Sequence, residues 1–201
     1  MMHKCSRCED FGLKFKRNYR PVEYLEGRRS SKIWIIGLNP AEETDWDDNE
    51  RDANDLAERF DNYDEIPSYF KDFKKVSSLL FAQLGKEYGV AHTDLVKCSS
   101  KRWPPPLCKG KDHYDVIKNC QEYLIKQIEI YKPIMIICNG APVSKEIKRF
   151  FPIKSKVSDT CYLSNIGSND IYIILSGFIG RVDDYAKRRL GYEIESILEK
   201  L

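Results

Sequence analysis

Four short apolar runs, each closed by a turn-forming or polar residue and followed by a helical pattern, restrict this chain more than anything else in it. The first is Ile33-Trp34-Ile35-Ile36, rich in β-branched residues as a strand buried on both faces would be, and Gly37 lets the chain turn tightly behind it. Ala91 to Lys97, Ile134 to Cys138 and Ile171 to Leu175 repeat the pattern. Helices are expected over about 53–60, 67–88, 113–131, 143–150 and 183–201. In the second of these, Phe70, Phe73, Val76, Leu80, Phe81 and Leu84 recur three and four residues apart. Residues 11–30 and 151–169 show no clear period and read as irregular. Apolar strands alternating with helices predict an α/β fold in one domain over residues 1–201: a four-stranded, mainly parallel sheet flanked by helices on both faces.

In such a sheet ligands bind outside the carboxyl ends of the strands, so Asn39, Cys98, Asn139 and Ser176 should lie along one edge. Asn39 projects from the loop G-L-N-P, whose other members Gly37, Leu38 and Pro40 are expected to touch the same ligand; the plain alternative is that the tetrapeptide is only a turn. One of Tyr63, Tyr69 or Phe70 could face this crevice and stack on a flat ligand, although their spacing is that of core residues. Charge is balanced, 33 Lys and Arg against 31 Asp and Glu, so a nucleic-acid partner has to be argued from local patches. Residues 42–65 are acidic, whereas Lys14 to Arg29, Lys97 to Lys111 and Arg181 to Arg189 are basic. Three consecutive prolines make S-S-K-R-W-P-P-P an exposed, stiffened connection that carries Lys101 and Arg102. No apolar run approaches the roughly 20 residues that span a bilayer. The first residues do not resemble a signal peptide, and a cytoplasmic monomer without membrane contact is expected.

In a reducing compartment seven cysteines point to a metal rather than to disulfides. Cys5 and Cys8 form a C-x-x-C within an N-terminal segment of about 30 residues, Cys98 closes the second strand, and Cys120 lies in the first turns of the next helix. Together they supply the four thiolates of an iron–sulfur cluster or a structural zinc. Cys108 could replace either late ligand, Cys138 reads as a small buried hydrophobe inside a strand, and Cys161 has no neighbour to argue from.

The order G-L-N-P, then D-L-V-K-C with a proline-rich basic loop, then N-C-Q-E-Y-L-I-K-Q-I-E-I-Y-K-P-I-M-I-I-C-N-G-A resembles the uracil-DNA glycosylase superfamily. It is most similar to the branch bearing a four-cysteine iron–sulfur cluster. The resemblance covers about residues 5–198 and is most specific over 92–141. It implies a DNA glycosylase of base excision repair that hydrolyses the N-glycosidic bond of a flipped-out uracil or other deaminated base. It also implies a 4Fe-4S cluster on Cys5, Cys8, Cys98 and Cys120. The first motif is closer to the G-x-N-P of mismatch-specific and single-strand-selective members, where the asparagine holds the attacking water; Asn39 inherits that role. An amide orients water but cannot accept its proton, and Glu42 or Glu43 could supply the base, unless these acids only mark a helix N-terminus.

Two departures follow from the same comparison. The family's second motif opens with His-Pro, whereas the last strand here runs into Ser176-Gly177, and a serine cannot carry the charge that offsets a leaving anion. The loop still suits DNA, with the Ser176 and Gly177 amides on phosphate, Phe178 or Ile179 as a wedge where the base leaves, and Arg181 on the backbone. The family's base-reading asparagine is replaced by Asp94, which as a carboxylate only accepts hydrogen bonds. Either the substrate is not uracil or Asp94 faces elsewhere. A non-catalytic nucleic-acid-binding member of the same fold is the second reading, and a zinc-stabilised α/β hydrolase the third.

Overall fold

A computed structural model describes residues 3–40, 53–61, 66–110 and 112–200. In chain order, β1 (His3–Cys5) pairs antiparallel with β2 (Phe15–Arg17) in a small ribbon. Then come β3 (Ile33–Gly37), α1 (Ala53–Glu58), α2 (Ser68–Lys71), α3 (Phe73–Val76), α4 (Ser78–Ala82) and β4 (Val90–Asp94). The second half runs α5 (His113–Tyr131), β5 (Met135–Cys138), α6 (Ala141–Phe150), β6 (Ile153–Lys156), β7 (Cys161–Ile166), β8 (Asn169–Ile174) and α7 (Asp184–Leu198).

The α/β architecture stands, but the sheet has six strands and is mixed, not four and mainly parallel. Its order is β4-β3-β5-β8-β7-β6, in which the first four strands are mutually parallel and β7 runs antiparallel to both of its neighbours, β8 and β6. The two added strands come from the stretch expected to be irregular. β7 mixes buried and half-exposed positions and returns to β8 through a turn at Gly167, held at φ +62°. All four residues of β6 are exposed, so this edge strand is defined by its backbone ladder and not by apolar side chains.

Period-two alternation along β3 splits the core. Trp34 and Ile36 face α5 and α6, packing with Leu124, Ile128, Val143 and Ile147, while Ile33 and Ile35 face Phe73, Leu80, Ile194 and Ile197 on the other side. Each of these fully buried aliphatic side chains contributes about 1.5–3 kcal/mol relative to exposure. Among the described residues no helix is long and apolar enough to cross a membrane.

The single helix expected over 67–88 is three short ones. Ser77 adopts an extended conformation (φ −153°, ψ 124°), and its Oγ accepts the Leu80 amide, capping a new helix start. The same hydroxyl donates to Glu195 Oε1 of α7 at 2.5 Å. α7 comes this close because it presents Gly191 to the Val76 carbonyl: a Cβ at that position would collide with the oxygen. Gly191→Ala should therefore lower stability by about 1–3 kcal/mol, although alanine is the better helix former by about 1 kcal/mol. A urea-unfolding midpoint that rises instead would show that α7 can move off α3 at no cost.

Candidate functional site

A cleft of about 840 Å³ opens at the carboxyl ends of β3, β4 and β5. Its near wall is the loop after β3, fastened to the loop after β4 by Leu95 N–H to Gly37 O (3.0 Å), Val96 N–H to Leu38 O (2.9 Å) and Ser100 N–H to Pro40 O (3.2 Å). Leu38, Asn39 and Pro40 line the cleft from this wall. The Asn39 amide Nδ2 donates to Pro40 O at 2.9 Å, which fixes the side chain and leaves Oδ1 as its remaining polar atom.

The floor comes from β4. His92 and Asp94, two residues apart, point to one face, and both are buried yet line the cleft. Gly37 is the register partner of Asp94, and its missing side chain makes room for them. A Cβ there would strike Asp94 Oδ1 and come within 2.9 Å of His92 Nε2 and 3.2 Å of the Tyr69 hydroxyl. Asp94 Oδ2 accepts the Tyr24 hydroxyl at 3.1 Å, while Oδ1 lies 3.7 Å from His92 Nε2. His92 Nδ1 is 2.6 Å from Glu26 Oε2, and Glu26 is itself ion-paired with Arg59. Burial pushes the imidazole down to about 4 against the opposing pull of Asp94. The ring is therefore neutral at pH 7, with Nδ1–H donating to Glu26 and a lone pair on Nε2.

Tyr69 and Asn139 close the back. Asn139 Nδ2 donates to the Tyr69 hydroxyl at 2.6 Å and its Oδ1 accepts the Ile179 amide at 2.8 Å, so this residue braces the loop after β8 against α2. Tyr69 also meets Phe178, with ring centroids 6.0 Å apart, and Phe178 stands 40% exposed at the mouth. Arg181, whose guanidinium lies 5.9 Å from the Phe178 ring centre, and Lys101 and Arg102 on the proline-rich loop complete a basic rim.

Not every expected site residue reaches the cleft. Ser176 and Gly177 line a separate cavity of about 610 Å³ beside α7. The Ser176 hydroxyl donates to Cys138 O at 2.6 Å, and its amide is taken by Ser144 Oγ at 3.1 Å. Glu43, Glu42 and Tyr63 lie outside the described residues. Conversely, the chain supplies residues that the sequence did not single out. Glu26 pairs with the outer edge of β4, exchanging backbone hydrogen bonds with His92 at 2.8 and 2.7 Å, and so delivers itself and Tyr24 to the floor. Lys97 is 1% exposed and donates to Thr93 Oγ1, Asp94 O and Gln127 Oε1 at 2.6–2.7 Å; burial lowers its ammonium to about 7. Thr93 Oγ1 and Gln127 Nε2 both donate to Tyr24 O at 2.7 Å, closing the network.

The thiols gather on the opposite side of the β4 loop. Cys8, Cys98 and Cys120 are buried in the cluster that contains α5, and Cys5 and Cys108 pack against it. The neighbouring Cys120 thiol pulls Cys8 below the usual thiol range, and Asn119 Nδ2 donates to Cys8 Sγ at 3.6 Å. Cys5 Sγ is 3.5 Å from the Tyr123 hydroxyl, one turn beyond Cys120. Burial raises Cys98 to about 12, reinforced by Cys8 and Cys5. Among the described residues, no set of three His, Cys, Asp or Glu side chains is arranged to hold a single metal ion.

A family model described as the Uracil DNA glycosylase superfamily matches residues 25–181. A comparison with curated proteins finds no match.

The neutral, buried His92 sets a pH dependence. Its unfolded value is 6.5 and its folded value about 4, so between them the unfolded chain binds a proton that the folded chain does not. Stability should fall as pH drops through that window, by about 1.4 kcal/mol per unit of pKa difference at most. Chemical denaturation from pH 7 to 4 should show this slope, reduced in His92→Gln; an unchanged slope would place the titrating group elsewhere.

Proposed function

The chain belongs to the uracil DNA glycosylase superfamily, and from that membership and the cleft we propose that it is a DNA glycosylase that hydrolyses the N-glycosidic bond of a flipped-out damaged or deaminated base. The observation that carries the reading is the placement of Asn39 on the loop after β3, facing a cleft with a polar floor and a basic, aromatic rim. Lys101, Arg102 and Arg181 suit phosphate, and Phe178 suits the gap left by an extruded base. With Nδ2 held by Pro40 O, Asn39 Oδ1 is the atom that orients water towards the sugar carbon. In this reading Glu43 takes the proton that an amide cannot. The second reading, a DNA-binding member without catalysis, is favoured by Ser176, whose hydroxyl is spent on Cys138 O where the family has a histidine.

Incubation with oligonucleotides carrying uracil, hypoxanthine or mismatches, followed by alkaline cleavage of abasic sites, separates the two. Strand cleavage is expected on at least one of them, and Asn39→Ala should slow it by about 100-fold. Tight DNA binding with no abasic sites on any substrate would overturn the enzyme and leave the binding module.

We further propose a 4Fe-4S cluster on Cys5, Cys8, Cys98 and Cys120, with zinc as the alternative. Support comes from the chemistry of the donor set, four soft thiols from three chain segments, with Cys8, Cys98 and Cys120 buried in one cluster, Cys5 packed against it, and Cys8 and Cys120 near enough to shift each other's acidity. Bound there, the cluster would cross-link the N-terminal ribbon to α5 and to the loop after β4, which adds folding free energy. Protein purified without oxygen should be brown and contain iron and sulfide, and Cys120→Ser should lose both. Colourless protein with stoichiometric zinc would replace the cluster by the ion, and protein holding neither would remove the metal altogether.

A further inference from the structure

The floor of the cleft carries two hydrogen-bond acceptors side by side. Asp94 Oδ1 is a carboxylate oxygen not used by Tyr24, which donates to Oδ2. In the neutral His92 ring the 2.6 Å approach of Nδ1 to the Glu26 carboxylate assigns the ring proton to Nδ1 and leaves a lone pair on Nε2. The two atoms are 3.7 Å apart. Among the described residues the Tyr69 hydroxyl, which accepts Asn139 Nδ2 at 2.6 Å, lies 3.4 Å from Nε2, which is long for a hydrogen bond, and its single proton can serve at most one of the two acceptors.

Two lone pairs facing each other across 3.7 Å in a buried floor repel, and a ligand with two N–H bonds on one atom relieves both at once. A single amino nitrogen placed about 2.9 Å from each acceptor would serve the pair. A carbonyl oxygen in the same place would instead meet two further acceptors. We propose that this cleft selects a base bearing an exocyclic amino group, a cytosine-, adenine- or guanine-type edge, over the corresponding oxo base, with Asp94 and His92 as the specificity-determining pair. The inference rests on the reading of the cleft as the pocket for a flipped-out base and narrows it to a damaged or mismatched base that keeps its amino group, in place of a deaminated one.

It also accounts for the serine where the family has a histidine. An amino-bearing base that takes up a proton before the C1′–N bond breaks keeps that bond's electron pair and leaves as a neutral molecule. Water then adds to C1′ and releases a proton, so no anion has to be stabilised.

Matched bases test the floor without requiring turnover. Calorimetric titration of the purified full-length protein with free cytosine against uracil, and adenine against hypoxanthine, compares amino with oxo in the same position. Cytosine and adenine should each bind about tenfold or more tightly than their oxo partners. Asp94→Asn, which restores a donor, should bring both ratios towards one. Equal or tighter binding of uracil and hypoxanthine, or no binding of any base, would overturn the inference, and the wild-type ratios stand even if the variant fails to fold. Release of abasic sites judges the glycosylase separately: a chain that prefers cytosine and adenine yet cleaves nothing keeps the pocket and loses the catalysis.

Discussion

The ammonium of Lys97 is the fixed point of this structure. It is 1% exposed, and each of its three donors meets an acceptor at 2.6–2.7 Å, the arrangement that makes a buried charge tolerable. Through Thr93 and Gln127 it gathers the carbonyl of Tyr24, so an arm with little secondary structure of its own is bound to the edge of β4 and to α5. Through Asp94 O it pins the residue whose side chain forms the cleft floor. The next residue, Cys98, turns the other way into the thiol cluster. One five-residue stretch, Asp94 to Cys98, therefore faces the cleft at one end and the thiol cluster at the other.

The parts of the fold that could be read from the sequence are those in which side-chain burial alone decides the structure. β3 and β5 are fully buried, so their apolar runs stand out, and α5 spans the expected 113–131. β6 and β7 were hidden because I-K-S-K and C-Y-L-S-N-I owe their strands to backbone pairing, β7 with β8 and β6 with β7, rather than to an apolar run. The period over 67–88 gave the right buried face but not the breaks, which are set from outside by the approach of Gly191 and the cap at Ser77.

The site divides along the same line. Asn39, Asp94, Asn139, Phe178 and Arg181 stand at strand ends or in the loops behind them, where chain order alone predicts convergence. Glu26 and Tyr24 arrive by pairing across an edge, a contact that no local pattern encodes. His92 looked like an ordinary strand residue; its signal was the H-T-D alternation, two polar side chains on one face of an otherwise apolar strand. Ser176 shows the opposite case. It occupies the expected strand end, yet a backbone carbonyl within reach claims its hydroxyl and turns it from the cleft.

Charge in the cleft is arranged in depth. Lys101, Arg102 and Arg181 occupy the rim, Asn39 the wall, and Asp94 with His92 the floor, where the half-buried Arg59 is neutralised by its pairing with Glu26. On the proposed reading the basic rim would hold the backbone of a nucleic acid outside while one base descends, and the base that gains most would be the one whose edge brings protons with it. The near-zero net charge of the chain conceals this gradient, since opposite signs cancel in the total but are separated along the depth of the cleft.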